Sequence, residues 1–233
     1  MDKKEFTKEL LKLGVKATED QMNKLEIYYK TLVEWNEKIN LTNITEETDV
    51  YLKHFYDSLT LIKAVDLNQV QNFCDVGTGA GFPGVVIKIF FPNIEVTLVD
   101  SLGKRITFLD ELVKSLGLKG IKIYNQRAED FSQNNREEYD VVTARAVMHL
   151  RKLIEICAPL VKVGGYLIPL KGGIDELQES KNAVLKLNLQ LEEKIEFNLP
   201  IEKSNRIIYR FIKTSISSKI FPRKYSDILK KPL

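Results

Sequence analysis

The stretch CDVGTGAGFPGVVIKIFFPNIEVTLVDS, from Cys74 to Ser101, places Gly77, Gly79, Gly81 and Gly84 within eight residues and ends on Asp100 after an apolar run. Its first residues read as a short strand, the glycines as a tight turn, Pro83 to about Phe91 as a helix, and IEVTLVD as a second strand. A βαβ unit of this kind binds ligands at the carboxyl ends of its strands. Glycine admits positive φ and lets a ligand approach the backbone, while the following helix offers unpaired amides. Asp100 stands about 20 residues beyond the turn, where a carboxylate accepts from ribose hydroxyls. Gly77 and Gly79 with Asp100 therefore point to an adenosyl cofactor.

Outward from this unit the alternation continues. NFCDVG, IEVTLVD, IKIYN, YDVVTAR and GGYLIPL read as strands, followed by weaker ones near LQLEEKIEF and RIIYRFI. Helical patterns separate them at about Lys104 to Leu116, Leu150 to Val161 and Asp175 to Leu187. The class is α/β, a mostly parallel sheet with helices on both faces. Before residue 70 there is no strand signal. Thr18 and Gln21 form a capping-box start for a long helix, and a second helical stretch runs from about Glu46 to Ala64. The expected division is an N-terminal helical extension, 1–70, and a cofactor-binding domain, 71–233, carrying a basic tail.

The chain of 233 residues is 44% hydrophobic and 29% charged, which excludes a disordered class. Its longest apolar runs are broken by charges such as Lys88 and fall short of a membrane span. The amino end lacks a secretory core, so the expectation is a cytoplasmic protein without membrane association, acting as a monomer. Cys74 and Cys157 lack ligand spacing and read as core residues; two histidines make no metal site, and none is expected.

The net charge of +3 is unevenly distributed. Arg206 to Leu233 carries eight basic residues against Asp227 alone, a net +7, which leaves −4 on the rest. Such an end suits an anionic partner. Tyr209 and Phe211 fall on a final core strand reaching about Lys213, so Arg223, Lys224, Lys230 and Lys231, beside Phe221 and Tyr225, are the expected RNA contacts.

A dinucleotide fingerprint needs glycine where Phe82 stands, and no phosphate-loop motif occurs. The pattern D-x-G-x-G-x-G, opened by Asp75, resembles motif I of class I S-adenosylmethionine-dependent methyltransferases. Methyl transfer asks mainly for positioning, and for an acid or base only if the acceptor needs one. The amino-methylating [DNS]-P-P-[YFW] pattern is replaced after the fourth strand by TARAV, and neither cysteine sits in a carbon-methylating motif. Guanine N7 carries a lone pair and no proton, so it needs no base; small-molecule acceptors can be equally undemanding. No catalytic residue is assigned. Arg145 at the end of the fourth strand faces the cofactor or the substrate, or is a surface arginine. RAED places Ala128 and Glu129 where adenine recognition commonly occurs, with a helix cap as the competing role for Glu129. His54 and Asp57 share one helix face, with a structural role favoured for the histidine.

Several blocks together, WNEKINLTNI, HFYDSL, DVGTGAGFPG, LVDSLGKRITFL, RAED, TARAV, GGYLIPLKG and FPRKYSDILKKPL, resemble the RsmG family, also called glucose-inhibited division protein B, along nearly the whole chain. The resemblance implies a class I, Rossmann-like methyltransferase sheet. It also implies a bacterial enzyme using S-adenosylmethionine to methylate N7 of a guanine in the 530 loop of 16S ribosomal RNA, guanine 527 in rRNA numbering. Its partner is then 16S rRNA or the small ribosomal subunit. Cofactor contacts carry over to Gly77, Phe82, Asp100, Ser101, Leu102, Ala128, Glu129 and Arg145. The tail departs from the pattern at YSDILKK. A small-molecule methyltransferase and a ribosome-binding protein with a structural cofactor are the two alternatives.

Overall fold

The computed structural model describes residues 1–233. Asp2 opens α1 (Lys3–Lys12) by accepting from the Glu5 amide at 2.8 Å, while the Glu5 carboxylate accepts from the Asp2 amide at 2.9 Å. Thr18 and Gln21 make the same reciprocal pair at the start of α2 (Glu19–Ile39), which ends on Asn40 in the left-handed conformation. The chain then runs unbroken through α3 (Glu47–Val50), a π-helical stretch Tyr51–Tyr56 and α4 (Asp57–Leu59).

From Asn72 the order is β1 (Asn72–Val76), α5 (Gly84–Phe90), β2 (Glu95–Asp100), α6 (Gly103–Ser115), β3 (Ile121–Asn125), α7 (Ala128–Asn134), β4 (Tyr139–Arg145) and α8 (Leu150–Cys157). It closes with β5 (Val161–Gly172), α9 (Leu177–Lys186), β6 (Leu189–Asn198), β7 (Asn205–Lys213) and α10 (Tyr225–Lys230). The helix expected to reach Val161 stops at Cys157, and Ala158–Leu160 is a single 3-10 turn. Pro159 has no N–H to offer the Glu155 carbonyl, so the helical ladder cannot pass it. No helix is long and apolar enough to cross a membrane.

The seven strands form one sheet in the order β3-β2-β1-β4-β5-β7-β6, with β1 to β5 parallel and β7 antiparallel to both of its neighbours. Alternate side chains feed two cores. Phe73, Val96, Leu98, Val141 and Ile168 meet α5, α6 and the N-terminal helices on one face; Cys74, Val99, Val142, Leu167 and Tyr209 meet α8 and α9 on the other. Phe6, Leu25, Tyr28 and Phe55 thus share a core with the sheet rather than forming a second one. The strand order reverses between β1 and β4, which leaves a crevice at their carboxyl ends.

Asp75 serves the turn from within. Fully buried, its Oδ2 accepts from the Thr78 hydroxyl at 2.7 Å and the Gly84 amide at 2.8 Å, while Oδ1 has no partner. A Cβ at Gly84 would collide with Leu98 Cδ2, so this glycine lets α5 pack on the sheet. Burial pushes the Asp75 carboxyl from 3.8 up to about 6. Its folded value lies above its unfolded one, so the folded state binds the proton first, and this contribution to stability is lost as pH rises from about 4 to about 6. The slope cannot exceed ~1.4 kcal/mol per pH unit. Asp75→Asn is expected to remove it. His54, discussed below, acts in the opposite sense in the same window, so the Asp75 contribution is the difference between variant and wild-type urea denaturation series from pH 4 to 7. Parallel series would refute the buried acid.

Candidate functional site

The carboxyl ends of β1, β2 and β4 open on one cavity of about 790 Å³. Gly77, Gly79 and Phe82 line it from the turn after β1, and Asp100, Ser101 and Leu102 from the end of β2. Ala128 and Glu129 line it at the start of α7, and Arg145 at the end of β4. Every residue expected at the cofactor thus borders one space.

The glycine turn is tied to β2 by its own amides. Gly77 and Thr78 donate to the Val99 carbonyl at 2.8 and 3.1 Å, and Gly79 donates to Asp100 Oδ2 at 3.0 Å. Gly79 has φ +60°, and a Cβ built there meets nothing within 4 Å, so the turn presents bare backbone to open cavity. Gly77, at φ +70°, differs: a Cβ there would come within 2.7 Å of Val147 Cγ2, on the loop after β4. Asp100 is buried and oriented, its Oδ1 accepting from the Leu102 amide at 2.9 Å and its Oδ2 also from Arg105 Nη1 at 3.2 Å. Leu102 beside it is 52% exposed, an apolar surface facing the cavity. Bare backbone, an aimed carboxylate and an uncovered apolar side chain suit the polar ribose and flat base of an adenosine.

Phe82 is itself enclosed. Tyr28 stacks on it at 5.1 Å between centroids, His54 at 4.4 Å, and the Arg145 guanidinium lies 5.1 Å from its centre. The Tyr28 hydroxyl donates to the Ala80 carbonyl at 2.5 Å, fixing the turn to α2. Phe82 is 4% exposed, so little of it remains for a ligand.

Arg145 lines the cavity and is not a surface arginine. Its Nη1 donates to the Lys53 carbonyl at 2.9 Å and Asp57 Oδ2 at 3.2 Å, and its Nη2 to His54 Nδ1 at 3.1 Å. A guanidinium only donates, so His54 Nδ1 is the bare acceptor nitrogen and Nε2 carries the hydrogen, donated to Thr42 Oγ1 at 3.0 Å. Burial, with Arg145 adjacent, pushes the imidazole down to about 3. His54 is therefore neutral and structural. Asp57 Oδ1 accepts from Arg206 Nε at 3.0 Å, so one carboxylate holds two arginines, from β4 and from β7, the strands on either side of β5. The π-helical stretch brings Lys53 and His54 to this junction together. Sequence reading missed Arg206, Thr42 and Arg105 as neighbours of the cavity; HFYDSL held the signal for Asp57 but not for its second partner.

The tail requires a correction. Arg223, expected to grip phosphate, instead donates through Nε and Nη2 to the two oxygens of buried Glu155, at 2.7 and 2.6 Å. Arg206 is held by Asp57, Arg210 by Glu192 and Glu193, and Lys213 is buried against Glu137 and two carbonyls. Half of the basic tail thus neutralises acids of the body. Lys219, Lys224, Lys230 and Lys231 stay exposed.

A model of the family described as rRNA small subunit methyltransferase G matches residues 21–207. The chain is 49% identical to the ribosomal RNA small subunit methyltransferase G of Bacillus subtilis, with 100% of this chain and 99% of that protein covered. It is 48% identical to the protein of the same name from Lysinibacillus sphaericus, with 96% of each covered. Among solved structures, a SAM dependent methyltransferase from Aquifex aeolicus superposes with a TM-score of 0.54 at 18% identity, over 72% of this chain and 94% of that one, a likeness of fold.

Proposed function

The chain belongs to the rRNA small subunit methyltransferase G family, and we propose on that basis that it transfers a methyl group from S-adenosylmethionine to N7 of a guanine in the 530 loop of 16S ribosomal RNA, guanine 527. The observation that carries the cofactor reading is the Gly79 backbone facing open cavity beside the oriented Asp100 carboxylate. Asp100 would hold the ribose, with a hydroxyl taking the lone pair now given to Arg105, and Leu102 and Ala128 would flank the base. When bound, the cofactor supplies an electrophilic methyl on a sulfonium.

The chain's own residues then have to place the acceptor and exclude water. The wing of the cavity bounded by Thr42, Lys53, Arg145, Lys171 and Arg206 is left for it, beyond the glycine turn. Guanine N7 presents a lone pair and loses no proton, and positive charge passes from sulfur to the base. The side chains suit that chemistry: His54 has both nitrogens engaged, and Asp57 is committed to Arg145 and Arg206. Positioning remains as the protein's contribution. In this reading the enzyme works in the cytoplasm as a monomer.

The test is labelled methyl transfer to small-subunit RNA from a strain lacking the modification, followed by mapping of the modified base. Label on any other base, or on metabolites alone, would overturn the reading. The exposed tail lysines give a second expected result. Lys224, Lys230 and Lys231 each touching single-stranded RNA would contribute about 0.7 to the slope of log affinity against log salt. Changing all three to Ala should flatten that slope by about two units, while Arg223→Ala should act on stability instead. RNA binding titrations between low and moderate salt check this, and equal slopes would remove the tail from the RNA interface.

A further inference from the structure

The C-terminal segment crosses the molecule to reach the cavity, and its path is fixed by specific bonds. Arg136 donates to the Ser217 carbonyl at 2.7 Å and the Phe221 carbonyl at 2.5 Å, and Gln133 to the Pro222 carbonyl at 3.2 Å. The bidentate pair of Arg223 with buried Glu155 locks the next residue to α8, and Phe221 and Ile228 are buried in the core on that face. Two residues beyond Arg223, Tyr225 lines the cavity. The Arg127 guanidinium sits 4.8 Å from the centre of its ring, and Arg127 Nε lies 3.4 Å from Glu129 Oε1. Tyr225 thus meets Arg127, which in turn pairs with Glu129, and these two residues flank Ala128 at the end of the cavity assigned to the adenosine.

We infer that Tyr225 is a cofactor-binding residue: its ring, backed by Arg127, forms the outer wall of the adenosine subsite, so the C-terminal segment completes the cofactor site as well as facing RNA. The inference rests on the S-adenosylmethionine reading above. An aromatic face against a purine is a sequence-tolerant contact worth roughly a factor of ten or more in affinity. The same six-residue helix carries Tyr225 on the cavity and Lys230 in solvent, and Lys224 stands exposed just before its first residue. One segment therefore senses both substrates.

Calorimetric titration of the full-length protein with S-adenosylhomocysteine and with 5′-methylthioadenosine, which lacks the amino-acid portion, tests this. Tyr225→Ala should bind both about tenfold more weakly. Tyr225→Phe, which keeps the ring, should bind within about twofold of wild type. Asp100→Ala serves as the control for the site itself and should lose at least tenfold. Unchanged binding by Tyr225→Ala beside weakened Asp100→Ala would overturn the inference and leave the cofactor reading intact; unchanged binding by both would overturn that reading. Loss confined to S-adenosylhomocysteine, or Phe as weak as Ala, would place the contact elsewhere and equally overturn the adenosine wall.

Discussion

Small-subunit RNA carrying 7-deazaguanine in place of the target guanine is expected to bind the enzyme and to receive no methyl group. Carbon replaces N7 in this analogue, so the in-plane lone pair that attacks the methyl is gone, while the other base edges and the phosphates are unchanged. Nothing in the cavity would rescue the reaction. His54 is held neutral between Arg145 and Thr42, and Asp57 between two arginines, so neither is free to activate a different atom of the base. Single-turnover transfer of labelled methyl, with affinity measured by competition, separates binding from chemistry. Methylation of the analogue would exclude N7 as the acceptor. Failure to bind would instead show that N7 is read as a hydrogen-bond acceptor before the reaction.

Arg145 shows why an arginine at the centre of such a site need not be an acid. Its guanidinium is a planar fork of donors, and here it organises Lys53, His54 and Asp57 into one rigid corner. Because burial and this cation push His54 down to about 3, its titration lies far below the range in which the enzyme works. A rate without a histidine-like inflection near neutrality follows from the geometry.

The parts of the fold legible in the sequence are those fixed by local pattern. IKIYN and YDVVTAR coincide with β3 and β4 because β-rich runs bounded by turns fix a strand locally. The capping box at Thr18 was legible for the same reason, and the equivalent pair Asp2 and Glu5 carried a signal that went unread. Helix α10 left none: six residues without a side-chain cap form a helix only because the tail docks through Arg223 to Glu155, 68 residues away. The cofactor side of the site follows one βαβ unit and could be read from it. The acceptor side depends on Arg206 meeting Asp57 across 149 residues, which no local pattern records. The tail charge misled for a related reason, since a count of basic residues is blind to Glu155, Glu137, Glu192 and Asp57 waiting for them in the fold.

Gly79→Val is expected to fold and to lose cofactor binding by a hundredfold or more. At φ +60° an L-residue costs roughly 1–2 kcal/mol, and β-branching adds to that, so the variant should melt at a lower temperature yet remain native. No protein atom obstructs the new Cβ, which has nothing within 4 Å. It occupies ligand space instead, and the Gly79 amide that aims Asp100 moves with it. Two effects then act together, exclusion of the ligand from the backbone and loss of orientation in the carboxylate, which is why the change should exceed that of Asp100→Ala. The neighbouring Gly77 is a poorer site for the experiment, since a side chain there first displaces Val147 and disturbs the loop that ends at α8. Calorimetry with S-adenosylhomocysteine on the folded variant, its native state verified by circular dichroism, gives the answer. Wild-type affinity in a folded Gly79→Val protein would mean that the glycine turn does not hold the cofactor, whatever the family does with the same turn.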